Sequence, residues 1–301
     1  MPTLVPQSWE DNPVTDYTIA TVRRWFAEEL RHTAHVRSAS VVEAFATVPR
    51  EHFAGPGPWR ILSPMHLAEY WTTEDADPRH LYHDVLIAID EARGLNNGQP
   101  SLWAFLYDQL NLAPGANVVH IGVGAGYYSA VLAEIVGSQG RVTAVEIDPV
   151  LAGRARTNLA PAWPQTTVIA ADGFTFRPDR PADAIIVNAG VTHLPLAWLD
   201  SLASENGRLL VPLTAEDRFG AFILITRQAD RTNRYAARHV CRVGMIDCVG
   251  GRNPDAEAKL LAALRMSRFA PPVRSLRRSP DEPDETCWLA GEGWWFSTAP
   301  V

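Results

Sequence analysis

Three glycines at alternate positions, Gly122, Gly124 and Gly126, break the stretch "NVVHIGVGAGYYSAVLAEIVG" between an apolar run and a helical one. Glycines so placed let the backbone turn tightly and approach a ligand with no side chain in the way. A dinucleotide loop carries its third glycine three residues after the second, over a pyrophosphate. Here that position is Tyr127. The next apolar run, "RVTAVEID", ends in Glu146, followed by Ile147; a carboxylate there can accept both ribose hydroxyls of an adenosine cofactor. The run after it, "TTVIAADG", ends in Asp172 and Gly173, an acid suited to the adenine amino group and a glycine that admits the ring. A fourth, "ADAIIVNAG", delivers Asn188 to the same edge. Taken singly, the glycines could serve a tight turn, Glu146 a solvated strand end and Asp172 a turn. Their arrival at successive strand ends points to an adenosyl cofactor without a pyrophosphate, S-adenosylmethionine.

The elements that would position these residues alternate along the chain. "NVVHI", "RVTAVEI", "TTVIAA", "ADAIIVN" and "GRLLVPL" read as short buried strands, with helical patterns in "GYYSAVLAEIV", "PVLAGRARTNL" and "LPLAWLDSL" between them. That rhythm predicts an α/β, Rossmann-like doubly wound, mostly parallel sheet of seven strands, with ligands at its carboxyl edge. After Leu213 strand follows strand, "FGAFILITRQA" and "RYAARHVCRVGMIDCV" around a turn at "DRTN", which predicts an antiparallel C-terminal edge. Ahead of the core, Ile19, Val22, Phe26 and Leu30 fall at helical spacing within Asp16–His32. A second helix is expected over Val41–Val48, then an irregular stretch to Pro100, then a helix in "SLWAFLYDQLNL". The organisation expected is an N-terminal helical and substrate-loop region (1–100), a cofactor-binding core (101–250), and a C-terminal helix with a Trp-rich extension (251–301).

Composition narrows the function. A chain of 301 residues that is 47% hydrophobic buries a large core, and a net charge of −7 offers no nucleic-acid surface. Lys259 is the lone lysine, which argues against Schiff-base chemistry. Cys241, Cys248 and Cys287 are too few and too scattered for a zinc knuckle or a disulfide framework, so no metal is expected. The opening residues lack a basic leader with an apolar core, and no apolar run approaches the roughly eighteen residues that span a bilayer. These features predict a cytoplasmic protein that engages neither membrane nor nucleic acid. They do not specify an oligomeric state.

From about Val41 to Gly250 the chain resembles the protein-L-isoaspartate O-methyltransferase family. The likeness runs in order through "VVEAFATVPREHF", "YHDVLIAID", "GQP", "HIGVGAGYYSAVLA", "VTAVEID", "AADG", "ADAIIVNAG" and "NGRLLVPL". The resemblance implies S-adenosylmethionine as cofactor, S-adenosylhomocysteine as product, and the glycine loop, Glu146, Asp172 and Gly173 as its holders. The candidate cofactor contacts are thus Gln99, His120, Gly122, Gly124, Gly126, Tyr127, Glu146, Ile147, Asp172, Gly173 and Asn188. Two departures stand out. His120 replaces the acid the family carries just before the first glycine. In "LNNGQPS", Gln99 and Pro100 keep their places, but Gly98 stands where the family has a substrate-facing serine. Asn97 or Ser101 could supply a substitute hydrogen bond. "IDCVGGRNP" and "DETCWLAGEGWWFS" also resemble longer bacterial relatives that accompany modified-peptide biosynthesis. For Trp288, Trp294 and Trp295 the plain reading is packing, and the functional one a lid or peptide-binding surface.

Methyl transfer from a sulfonium is an in-line displacement that depends mainly on positioning. A carboxylate acceptor arrives as an anion and needs no base. A hydroxyl or amine acceptor needs one within hydrogen-bond reach, for which His193, His83 and Asp84 are the candidates. Asn97 and Gly98, in the segment "EARGLNNGQPS", are expected to form a mobile wall over the acceptor. The leading expectation is O-methylation of an aspartyl or isoaspartyl carboxylate in a peptide or natural-product precursor. The alternatives are a small-molecule O- or N-methyltransferase and a cofactor-binding module without methyl transfer.

Overall fold

A computed structural model of the chain describes residues 17–229 and 233–301. Helices α1 (Ile19–Thr33), α2 (Ala39–Thr47) and α3 (Arg50–Ala54) open it. The Thr18 hydroxyl accepts the Thr21 N–H and starts α1. Phe26 and Leu30 of the expected stripe are buried, and Ile19 and Val22 pack against the same core. Asp16, where this helix was expected to begin, lies outside the described residues.

The stretch expected to be irregular instead holds a small antiparallel sheet. Its strands β1 (Arg60–Ser63), β2 (His66–Thr72), β3 (Leu86–Asp90) and β4 (Leu95–Asn96) lie in the order β2-β1-β3-β4. They are short, and bulges break the register of β1 with β2 and of β3 with β4, so no sustained alternation marks them in the sequence. Helix α4 (Pro100–Leu110) follows, with Pro100 in its first turn where a missing N–H is harmless.

The core then alternates: β5 (Asn117–Ile121), α5 (Tyr127–Val136), β6 (Arg141–Glu146), α6 (Pro149–Leu159), β7 (Thr166–Ala170), β8 (Ala184–Val187), α7 (Leu196–Asp200) and β9 (Arg208–Thr214). These strands are parallel in the order β7-β6-β5-β8-β9. From β5 the chain winds first one way, through β6 and β7, and then the other, through β8 and β9. The carboxyl end of β5 is therefore the switch point at which such sheets open a crevice. Alternate residues divide between the faces: Val118 joins Phe45, Trp103 and Leu132 on the face of α2, α4 and α5, while Val119 joins Trp198, Leu199 and Leu264 on the other.

Strands β10 (Phe219–Arg227) and β11 (Arg234–Gly244) run antiparallel, as their succession predicts; residues 230–232 of the expected turn are outside the described residues. The sheet does not stop at seven strands. After helix α8 (Pro254–Met266), β12 (Ser275–Arg278), β13 (Cys287–Gly291) and β14 (Trp294–Ser297) extend it in the order β11-β12-β14-β13, making ten. The tail tryptophans are the reason. Trp294 and Trp295 are buried, and their indole N–H groups donate to the carbonyls of Leu194 and Asp281. Arg277 lies over the Trp295 ring, its guanidinium carbon 4.7 Å from the centroid. No helix among the described residues is long and apolar enough to cross a membrane.

Candidate active site

A cavity of about 650 Å³ opens at the carboxyl ends of β5, β6 and β8. Its floor is the turn from β5 into α5, where Gly122, Gly124 and Gly126 all have left-handed backbones, with φ of 78°, 55° and 97°. At Gly122 a side chain is excluded twice over, since a Cβ would also come within 3.0 Å of the Asn188 carbonyl oxygen.

Glu146, at the end of β6 and only 7% exposed, secures this turn. One carboxylate oxygen accepts the Gly124 N–H at 2.7 Å and the other accepts the Asp148 N–H at 3.1 Å. Burial pushes its pKa above the usual carboxylate range, against these N–H donors, which pull it down. Each oxygen accepts one of these N–H groups and has a further lone pair, so the carboxylate keeps acceptor capacity. Asp148 caps α6 by accepting from Val150 and Leu151, and its other oxygen accepts from Arg93 at 2.6 Å. Asn188, just past β8, donates from Nδ2 to the Gly122 carbonyl at 3.0 Å. Past β7, Asp172 accepts the Phe174 N–H at 2.9 Å and Trp198 donates its indole N–H to the Gly173 carbonyl at 3.0 Å.

The opposite wall is the segment from β4 into α4, and it is braced where a mobile loop was expected. The Asn97 N–H donates to the Ile87 carbonyl at 2.9 Å, while Asn97 Oδ1 accepts the Ile87 N–H at 2.8 Å. Asn96 Oδ1 accepts the Gly98 N–H at 2.9 Å, and the Tyr128 hydroxyl donates to the Gly98 carbonyl at 3.0 Å. The asparagines that suggested mobility are the groups that tie the segment down. Gly98 sits at φ 80°, and a Cβ there would lie 2.6 Å from Nε1 of the fully buried Trp103.

The cavity thus gathers Asn97, Gly98, Gln99, Gly122, Gly124, Tyr127, Glu146, Ile147, Asp172, Gly173 and Asn188. Several sequence candidates do not line it. Gly126 is the N-cap residue of α5 and faces Ala155 and Leu159 of α6. His120 points to the other face of β5, fully buried, with Nδ1 2.9 Å from the Ser129 hydroxyl and its ring 6.2 Å from that of Trp103. Asp84 is spent on holding the start of α4: it accepts from the Ser101 N–H, the Ser101 hydroxyl and Gln99 Nε2 at 2.7–2.8 Å. His193 packs its ring against Phe174, with Nδ1 3.0 Å from the Thr192 hydroxyl. His83 also stays outside the lining; its carbonyl accepts from Arg50 at 2.8 Å.

Other lining residues escaped notice in the sequence. Arg50 is 1% exposed, donates to the carbonyls of Leu81, His83 and Val85, and lies between the rings of Phe26 and Tyr127. Arg93, Arg154 and Arg242 also line the cavity, as do the residues from Val243 to Val249. In a chain whose cations are nearly all arginine, none of these stands out. Among the described residues no three or more His, Cys, Asp or Glu are grouped to hold a metal ion.

A family model described as protein-L-isoaspartate(D-aspartate) O-methyltransferase matches residues 23–249. The chain belongs to this family. It is an S-adenosylmethionine-dependent methyltransferase. Among relatives named protein-L-isoaspartate O-methyltransferase, that of Methanothermobacter thermautotrophicus is 29% identical over 230 residues, covering 76% of this chain and 95% of its own. That of Gloeobacter violaceus is 33% identical over 202 residues, covering 66% and 86%. A solved protein-L-isoaspartate O-methyltransferase aligns with a TM-score of 0.63 at 23% identity, over 81% of this chain and 70% of that one. A beta-aspartate methyltransferase structure from Plasmodium falciparum, in complex with S-adenosyl-L-homocysteine, aligns at 0.57 and 20% identity, over 75% and 97%. Those two likenesses bear on the fold, which is the Rossmann-like α/β arrangement the sequence predicts.

Two predictions follow from this geometry. Gly98→Ser, which would restore the family's hydroxyl, should destabilise the protein by about 2–4 kcal/mol, because it combines a left-handed β-carbon with an overlap against a rigid core ring. It should not raise activity on isoaspartyl peptides. Urea denaturation is the check, and a loss below about 0.5 kcal/mol would mean that the wall yields easily.

His120 sets a pH dependence. Burial depresses its pKa to about 3, from an ordinary value of 6.5. Its neutral form is the folded form, so its contribution is complete above pH 6.5 and is lost as pH falls through the window toward 3, at up to about 1.4 kcal/mol per pH unit. His120→Asn should flatten stability against pH between 6.5 and 4 relative to the parent. Parallel curves would show that His120 titrates freely.

Proposed function

We propose that the enzyme methylates a carboxylate, on an aspartyl or isoaspartyl residue of a peptide or natural-product precursor. The observation that carries this reading is the absence of a base at the site. His193, His83 and Asp84 stay outside the cavity, and among the described residues no histidine lines it. Four arginines do. The acids present are committed elsewhere: Glu146 and Asp172 to backbone N–H groups, Asp148 to Arg93, and Asp247 to Arg252 at 3.3 Å. A hydroxyl or amine acceptor would find no histidine to take its proton, and only carboxylates already bonded to backbone N–H groups or to arginines. An anionic acceptor needs no proton removed, and Arg242, which has no carboxylate partner among the described residues, lines the cavity as a donor for it.

In this reading Glu146 receives the ribose hydroxyls, and Asp172 and Gly173 face the adenine beside Ile147. Gly122, Gly124 and Asn188 form the floor under the amino-acid end, near Gln99 and Tyr127. The cofactor, when bound, supplies an electrophilic methyl group. Asn97, Gly98 and Gln99 hold the acceptor side in register, fixed from behind by Asp84. With glycine at the family's serine position, the site lacks one donor to the carboxylate, which favours an acceptor that brings other contacts.

Glu146→Ala should weaken S-adenosylmethionine binding by about 1.5–3 kcal/mol, since a charged acceptor is lost and the Gly124 N–H loses its partner. Calorimetry showing parent-like affinity would remove Glu146 from the site. The reaction class is tested with S-adenosylmethionine labelled in its methyl group and a short isoaspartyl peptide as acceptor. We expect slow labelling, released as volatile methanol by mild base, as for an ester. Base-stable label would mean transfer to nitrogen or a hydroxyl, and rapid turnover would show that Gly98 is fully compatible with unspecialised isoaspartyl substrates.

A further inference from the structure

The cavity does not end at Phe219. A second hollow of about 510 Å³ lies beyond it, and Phe219, Arg242, Val243 and Gly244 line both. Its far wall is Leu261 and Arg265 of α8 together with Phe269, all past residue 249, where the family match ends. Phe219 is 57% exposed between the two spaces. After α8, Arg268 and Phe269 both take left-handed backbones, and the Phe269 N–H donates to the Leu264 carbonyl at 2.7 Å, which folds the chain back along the helix. Arg242 extends over this side and donates to the Arg268 carbonyl at 2.6 Å; it has no carboxylate partner among the described residues. Arg265, at the rim, pairs at 3.2 Å with the exposed Glu216, which lines the same hollow.

We propose that this hollow is a subsite for the acceptor peptide, taking a large apolar side chain near the methylated residue, with an acidic neighbour held by Arg242 and Arg265. The inference rests on the reading of the acceptor as a peptide. Three observations select this occupant. The hollow adjoins the reaction cavity across Phe219, Arg242, Val243 and Gly244, so a chain anchored by its reacting carboxylate has the hollow as its neighbouring surface. Its lining is apolar at the base, with Arg242, Arg265 and Glu216 at the rim leaving a net positive charge, which fits an apolar residue beside an acid. And its far wall is built from α8 and the turn after it, so the segment beyond the family match would set substrate choice. An acceptor held here would gain the anchorage that the glycine at position 98 does not provide.

The test compares two fluorescent peptides in the presence of S-adenosylhomocysteine. One is a tripeptide centred on an isoaspartyl residue; the other extends the same core with Leu-Asp and Phe-Asp pairs on both sides. Binding followed by anisotropy should favour the long peptide by at least tenfold. Arg265→Glu, a change on an exposed side chain, should remove most of that preference and leave the tripeptide unaffected. Leu261→Glu should do the same, with Arg265→Glu as the control if that variant folds poorly. In turnover, Arg265→Glu should raise KM for the long peptide about tenfold at constant kcat. Equal binding of the two peptides, or equal loss for both in Arg265→Glu, would overturn the subsite. So would a dimer in sedimentation that Arg265→Glu dissociates, since a second copy would then occupy the hollow. Absence of any methyl transfer alongside a long-peptide preference would reject the carboxylate reaction and leave the subsite standing, so the two failures can be told apart.

Discussion

A buried carboxylate at the end of β6 is the constraint on which the site depends. A turn of three left-handed glycines has little of its own to hold it, because each lacks the side chain that would pack it in place. Glu146 supplies the tie from outside the turn, taking the Gly124 N–H on one oxygen and the Asp148 N–H on the other. The floor of the cavity is thereby coupled to the start of α6, and through Asp148 to Arg93 on the small N-terminal sheet. The pair Asn188–Gly122 closes the other side. Keeping a charged group here is costly, and its raised pKa records that cost.

The opposite wall of the cavity follows a similar plan with a different acid. Asp84 takes three donors from Gln99 and Ser101, and so fixes the turn that leads into α4. Acids at both ends of the cavity act as clamps on backbone or near-backbone groups. In the proposed reading, reactivity is left to the two substrates and the protein contributes geometry. That division suits a displacement in which alignment supplies most of the acceleration.

Much of the core was legible because its signals are local and repeated. Glycine spacing, an acid at the end of β6, Asp-Gly after β7 and the strand–helix alternation each mark a residue by type and place. What could not be read depends on direction and partnership. His120 and Val119 are neighbours on one strand, and which of them faces which layer is set by the pleat, not by residue type. The asparagines of "LNNGQP" signal a loop by composition, yet their amides bind strand backbone that the sequence reads as irregular. Arg50 escaped because its partners are three carbonyls from a distant segment. The tail read as a Trp-rich extension, and only pairing of β12 with β11 shows that it continues the main sheet.

The packing of Gly98 against Trp103 and Tyr128 limits what can replace the glycine. The space that the family's serine would need is filled by an indole with no exposure and by a phenol that also bonds the Gly98 carbonyl. Any sequence with this packing reaches a serine here only together with a change at Trp103, and Trp103 sits in the core shared with His120 and Phe222. The glycine is thus held in place by two aromatic neighbours that themselves line the cavity, so a serine at this position requires a change in the wall and not one substitution alone.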